Sequence, residues 1–414
     1  MARHEVAPVR AAAQTHQSNV TPRFESRPEP ALITQSVVFT DVNPTDLRAE
    51  IPALDRTTYL NTGAAGPSPY RVVEAVESCV ERHEYESPGG EGMYPFSFDV
   101  FDETREVVAD HLGATAEEIA LTQSTTDGIN RVAAGLDWER GDTVVRTDLE
   151  HSSGILPWQR LRRRGVEVEV VESDGGRLDA DRMASAVEGA KLVCLSSLTW
   201  SHGTLLPVRE IVETAHDAGA LVLVDAVQCP GQMPVDVREW GADFVAGAGH
   251  KWLLGPFGAG FVHVAPGAET RLEPAHVGYR SVEDPNAEEY AYEPGAHRLE
   301  VGTVSPAPYA GLCEAIETIE EIGYDGIRDR IEALTDRLKA GIRDAETARL
   351  LSPREYESGL VTFAIDDPDP ESFVEELADD GVRIRSLPFP ENAVRASVHA
   401  FNSEADVDEL VEWL

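Results

Sequence analysis

Lysine is the scarcest charged residue in this chain: 414 residues contain only Lys191, Lys251 and Lys339. Lys and Arg together number 35 against 74 Asp and Glu, a formal charge of −39. The acids are spread along the sequence rather than gathered in a tail. No basic stripe can offset phosphate repulsion, which disfavours nucleic-acid binding. A dispersed, lysine-poor acidic surface keeps its carboxylates hydrated in concentrated salt and reads as adaptation to such a medium rather than as recruitment of one basic partner. Cysteine is also sparse. Cys79, Cys194, Cys229 and Cys313 show no CxxC spacing and lie in or beside apolar stretches, so buried free thiols are expected, with no metal and no disulfide framework. No apolar run approaches the length of a membrane-spanning helix. The opening MARHEVAPVRAAAQTHQ lacks the apolar core of a secretory signal. These absences lead to the expectation of a soluble cytoplasmic protein that binds neither membrane nor nucleic acid.

What is present is organised around Leu221 to Val264. A short apolar run, Leu221 to Val224, ends in Asp225, and Gln228 follows. A second run, Phe244 to Ala248, leads into Gly249-His250-Lys251. A Gly- and Pro-rich turn and a third run, Phe261 to Val264, complete the stretch. Such runs, bounded by Gly and Pro, read as buried parallel strands, and ligands of open α/β sheets sit at the carboxyl ends of their strands. Trp252, Leu253, Leu254 and Phe257 make a poor setting for a hydrated ammonium. A desolvated lysine becomes a nucleophilic amine. Lysine as Schiff base with an aspartate on a ring nitrogen is the arrangement that pyridoxal 5'-phosphate (PLP) requires. A lysine snorkelling from a buried turn would give the same residue pattern.

Asp225-Ala-Val-Gln228 followed by Gly249-His250-Lys251 resembles the signature of the class V aminotransferase family of PLP enzymes. That family includes cysteine desulfurases, selenocysteine lyases, kynureninases and isopenicillin-N-epimerase-like proteins, and the similarity runs from about Tyr59 to the C-terminus. The resemblance implies a fold-type I architecture: a mainly parallel, seven-stranded-type sheet in a large domain, with a smaller α+β domain behind it. It implies that Lys251 carries PLP, that Asp225 pairs with the ring nitrogen, and that His151, after the strand Thr143 to Thr147, stacks on the ring. Thr125 and Thr126 match the phosphate loop, where a strand end opens a helix and offers N–H groups and hydroxyls to an anion. His250 is a further phosphate ligand, but the hydroxyl that desulfurase-like members place two residues earlier is replaced by Ala248. An Asn that often touches the cofactor's phenolic oxygen is missing from Trp200-Ser201-His202, which leaves Gln228 for that contact. Thr303, in a Gly-Thr segment, implies a homodimer in which this threonine reaches the neighbouring subunit's cofactor. Arg395 matches the arginine that holds a substrate α-carboxylate, for which a planar fork is suited. Arg385 is a second candidate, with a surface salt bridge as the alternative. Asn61 and Ala64, in the small-residue turn after Tyr59, are further pocket candidates, a plain strand–turn–helix connection being the alternative.

Three segments are expected: a Pro- and Ser-rich, disordered N-terminal arm over 1–40, a PLP-binding large domain over 41–305 whose first residues touch the small domain, and the small domain over 306–414. The alternation of short strands with helices, such as Leu178 to Val187 and Val208 to Ala218, supports a parallel sheet.

Sulfur-abstracting members carry a nucleophilic cysteine on a loop after the strand that Val382 to Arg385 resembles. Here that loop is Ser386-Leu387-Pro388-Phe389-Pro390-Glu391-Asn392-Ala393, and no cysteine follows Cys313. A persulfide needs a thiolate. The sequence therefore reads as a PLP-dependent enzyme acting on a small amino acid by transamination, epimerisation or β-elimination. A cysteine desulfurase or selenocysteine lyase is an alternative, with the missing cysteine against it. A catalytically inactive PLP-fold scaffold is another, with Lys251, Asp225, His151 and Arg395 together against it. The charge reading has its own test: the unfolding midpoint should rise markedly from dilute buffer to multimolar KCl, and equal stability in both would refute salt adaptation.

Overall fold

The computed structural model describes residues 44–414; the arm expected over 1–40 lies outside them. Chain order gives β1 (Thr58–Tyr59), β2 (Ile119–Thr122), β3 (Thr143–Thr147), β4 (Glu167–Val171), β5 (Leu192–Ser196), β6 (Leu221–Asp225), β7 (Phe244–Ala248) and β8 (Gly260–Val264). There follow β9 (Ala348–Leu350), β10 (Leu360–Ile365), β11 (Val382–Arg383), β12 (Arg385–Ser386) and β13 (Ala393–Ser397).

Strands β2 to β8 form one seven-stranded sheet in the order β2-β8-β7-β6-β5-β3-β4. Only β8 runs antiparallel to its neighbours, β2 and β7; the pairs from β7 through to β4 are parallel. Strands β5, β7 and β8 are buried at every position, because helices cover both faces and the sequence supplies continuous apolar runs. Edge strand β4, EVEVV, is exposed along most of its length, and its glutamates discourage pairing with another chain. One face packs on the helices Met93–Leu112, Val208–Asp217 and Ala307–Ile322. The other packs on Thr125–Gly135 and Leu156–Leu161. The fold is thus α/β, with a mostly parallel central sheet.

The second sheet, β12-β13-β10-β9, is antiparallel throughout. Its core joins Val361, Phe363 and Val394 to Leu377, Val407 and Leu410 of the flanking helices. Two expectations change here. The boundary expected at 305/306 falls just before Ala307–Ile322, whose Leu312, Ile316 and Ile319 belong to the large sheet's core. The change-over comes inside the next helix, Tyr324–Asp344: Ile327 and Ile331 lie in the large core, and Leu334, Leu338 and Ile342 in the small one. The strand expected over Val382 to Arg385 breaks at Ile384, because β11 pairs with β1 while β12 pairs with β13.

The segment before β2 ties the sheets to each other. Arg48 donates to both Asp406 oxygens, at 2.7 and 3.1 Å, a bidentate geometry. Leu47, Ile51 and Leu54 pack with Leu254 and Phe401. The Leu60 N–H donates to the Arg383 carbonyl and the Ser397 N–H to the Leu60 carbonyl, which lays Tyr59 to Gly63 along the small sheet.

Candidate active site

A cavity of about 180 Å³ opens at the carboxyl ends of β2, β3, β5, β6 and β7 and is closed by β12 and β13. Every sheet strand that enters it ends in a residue that lines it or leads to one. This is where an open α/β sheet presents its loops to a ligand.

Lys251, directly after the Gly249-His250 turn that follows β7, faces Asp225, the last residue of β6. Burial pushes the Lys251 amine down to about 8. Asp225 works against that shift, and the guanidiniums of Arg395 and Arg385 add to it. Burial raises the Asp225 pKa, while Lys251 and a hydrogen bond from the Val227 N–H (3.0 Å) hold it down. The backbone at Lys251 is fixed from outside. Gly66 N–H donates to the His250 carbonyl at 2.8 Å. A Cβ at Gly66 would lie 2.2 Å from the Lys251 carbonyl oxygen, so only glycine allows this approach. Leu254 adopts φ +61°, a strained conformation for a side-chain-bearing residue that its packing against Leu47, Ile51 and Phe401 holds in place.

The helix Thr125–Gly135 starts at the cavity. Ser124 caps it, accepting from Asp127 N–H at 3.1 Å. The Thr125 hydroxyl is buried with no hydrogen-bond partner, and Thr126 shares a 2.6 Å hydrogen bond with Ser153. His151 follows β3. The Ser153 N–H donates to its Nδ1 at 3.3 Å, so Nδ1 is the acceptor and Nε2 holds the proton of the neutral ring. Burial, then Lys251, Arg385 and Arg395, push His151 down to about 4. Burial and Lys251 do the same to His250. Both imidazoles are neutral at pH 7.

Arg395 on β13 is 1% exposed. Its Nη1 donates to the Trp200 carbonyl at 2.7 Å, while Nε and Nη2, the edge that grips a carboxylate with two bonds, have no partner. Gly63 makes room for this guanidinium, since a Cβ there would lie 3.0 Å from Nη2.

Thr125, Thr126, His151, Asp225, Gln228, His250, Lys251, Arg385 and Arg395 therefore all line one cavity, with Ala64. Asn61 and Thr303 do not. Asn61 pairs through its backbone with Ser397, and its neighbour Gly63 reaches the cavity instead. Thr303 is exposed and bonded to the Tyr279 hydroxyl. Ser153, Trp200 and Val227 also line the site and were missed from the sequence, although Ser153 stands two residues after His151. Cys229 is adjacent in sequence to Gln228 but fully buried, against the Ser197 hydroxyl at 3.0 Å, and lines no part of the cavity. Among the described residues no cluster could hold a metal ion, and no helix is long and apolar enough to cross a membrane.

The donor set fits PLP. The unpaired Thr125 hydroxyl and the free N–H groups of the helix start suit a phosphate. Asp225 suits a protonated ring nitrogen, and Lys251 supplies the amine. The amine's low affinity for protons is testable. In cofactor-free protein, labelling of Lys251 by an amine-directed reagent should be half-maximal near pH 8. Asp225→Asn should move that midpoint lower still, because the carboxylate favours the charged amine. A midpoint at the ordinary lysine value of 10.5 would contradict the burial argument.

Comparison with known proteins supports the same conclusion. The family model described as Aminotransferase class-V matches residues 58–410. A probable cysteine desulfurase of Methanothermobacter thermautotrophicus is 36% identical over 388 residues, covering 89% of this chain and 96% of that protein. Among solved structures, the apo cysteine desulfurase of Thermococcus onnurineus superposes with a TM-score of 0.84 at 31% identity, covering 90% of this chain and 97% of that one. A cystine C–S lyase in complex with its product, cysteine persulfide, superposes with a TM-score of 0.83 at 27% identity, covering 87% and 98%.

Proposed function

The chain belongs to the class-V aminotransferase family, and we propose that within it this PLP-dependent enzyme acts as a lyase, releasing a thiol from the β-carbon of an amino acid without an enzyme-bound persulfide. The observation that carries this reading is the state of the thiols. All four cysteines are buried and none lines the Lys251 cavity. Burial pushes Cys79 up to about 11 and Cys229 and Cys313 up to about 12, and Cys194 is raised as well. A nucleophile for sulfur abstraction must be an accessible thiolate, and the Ser386–Ala393 loop contains none. The solved cystine C–S lyase is a structural relative whose named chemistry is of the proposed kind.

PLP, when bound, supplies an electron sink conjugated to the amino acid's α-carbon. The remaining work falls to this chain's residues. The unpaired edge of Arg395 supports it as the holder of the α-carboxylate. Asp225 would keep a proton on the ring nitrogen of bound PLP. Lys251, with a pKa near neutrality, suits removal of the α-proton and its later return. Neutral His151 offers a flat imidazole to the ring and no competing charge. Thr125, Thr126, His250 and the helix start hold the phosphate. Loss of the α-proton and of the β-thiolate, followed by hydrolysis, yields pyruvate, ammonia and a thiol.

Product analysis on L-cystine or L-cysteine tests this reading. Equimolar pyruvate and ammonia are expected, at rates unchanged by prior alkylation of accessible thiols. Alanine as product would show desulfuration, as the names of several relatives suggest. A keto acid that keeps the side chain would show transamination, and the D-enantiomer epimerisation.

Thr303 supports a homodimer with shared sites, since it stands exposed beside the exposed apolar Val277, Tyr279 and Val304. Light scattering should give a dimer, and Thr303→Ala should loosen PLP retention several-fold. A monomeric active enzyme, or unchanged retention, would refute the shared site.

A further inference from the structure

Two arginines face this cavity, and the reading above uses one. Arg385 on β12 and Arg395 on β13 are directly opposed in an antiparallel pair. Residues so placed send their side chains to the same face, with Cβ atoms roughly 5 Å apart, and like charges there are destabilising. The pair is not relieved within the protein. Arg395 keeps two unpaired donors, and the Arg385 side chain has no hydrogen-bond or ion-pair partner among the described residues. The lining carries the charges of Lys251, Arg385 and Arg395 against Asp225 alone. In a chain whose acids outnumber its bases 74 to 35, a repelling pair without a carboxylate is a feature that an anionic ligand would satisfy.

The cofactor's phosphate is served elsewhere, at the helix start after β2. The two guanidiniums come from β12 and β13 of the other sheet, not from the helix start that serves the phosphate. One α-carboxylate occupies the free edge of Arg395. The wall beside it is Trp200, backed by Phe389 with ring centroids 5.3 Å apart and by buried Leu387. Trp200, which lines the cavity, is thus backed by apolar side chains of the Ser386–Ala393 loop.

We propose that Arg385 forms a second anion subsite and that the substrate is an α-amino acid whose side chain itself ends in a carboxylate or a comparable anion. This rests on the assignment of the α-carboxylate to Arg395 and not on the reaction that follows. A charge-assisted hydrogen bond to such a group gives roughly tenfold or more in affinity.

The test is equilibrium binding to the PLP-loaded enzyme, followed by the shift of its visible band, with L-aspartate and its neutral isostere L-asparagine at one ionic strength. Neither ligand carries a thiol leaving group, so the result is independent of whether the enzyme proves to be a lyase. Wild type should bind aspartate at least tenfold more tightly than asparagine. Arg385→Gln should bring that ratio to within about threefold of unity, and Arg385→Lys should keep part of it. Equal affinities in wild type would overturn the proposal, and they can be read even if Arg385→Gln does not fold. So would an Arg385→Gln enzyme that loses both ligands equally with its preference intact, since Arg385 would then share the α-carboxylate. Alanine among the products of cysteine, with the aspartate preference present, would overturn the lyase reading alone.

Discussion

The opposition of Lys251 and Asp225 in one cavity governs this site. An isolated ammonium there would be costly, and a lone carboxylate more so. Each offsets part of the other's burial, but not all of it. Burial outweighs the effect of the carboxylate, the two arginines add to it, and the amine is left with a pKa of about 8. A chain with three lysines has thus placed one opposite a buried carboxylate, where two guanidiniums repel its proton. Burial first, and the same positive charges after it, keep His151 uncharged. The acidic surface plays no part in this, because among the described residues Asp225 is the only carboxylate that lines the cavity.

This balance holds only if the two sheets keep their distance, since Lys251 and Asp225 come from one and Arg385 and Arg395 from the other. The segment Tyr59 to Gly66 provides the link. It hydrogen-bonds to Arg383 and Ser397 on one side and to His250 on the other, and its glycines admit the Arg395 guanidinium and the Lys251 carbonyl. His399, in the turn after β13, donates to the Trp252 carbonyl at 2.9 Å, so the residue after Lys251 is held from the small sheet as well. The helix Tyr324–Asp344, shared between both cores, supports the same alignment at a distance.

Much of this was legible in the sequence, for identifiable reasons. Strands β3, β6 and β7 stand where the sequence placed them, since strands covered on both faces read as short apolar runs bounded by turn residues. The start of the Met93–Leu112 helix is not legible, because its first two turns, MYPFSFDV, mix aromatic and polar residues without a clear stripe. The 305/306 boundary rested on a change of pattern, and pattern does not reveal that one helix can serve two cores. In the turn after Tyr59 the small residues marked a close approach to the site. Whether Asn61 or Gly63 makes it depends on backbone direction, which composition does not encode. The lack of any partner for Arg385 could not be read from a sequence full of acids.

Gln228 shows how geometry sharpens a role that residue type leaves open. A glutamine side chain can offer either an acceptor or a donor to a ligand. Here its Oε1 accepts from the Trp252 indole N–H at 2.7 Å, and an indole N–H can only donate. The amide is therefore fixed with its amino group turned the other way, donating to the Gly63 carbonyl at 3.0 Å with one N–H to spare. Gln228 lines the cavity, so what it can offer there is a donor, which suits an anionic ring oxygen and not a ring N–H. The residue that enforces this choice, Trp252, directly follows Lys251 and is itself anchored by His399 of the small sheet. The orientation of one amide at the cofactor site thus depends on the same joint between the sheets that sets the charge of the amine.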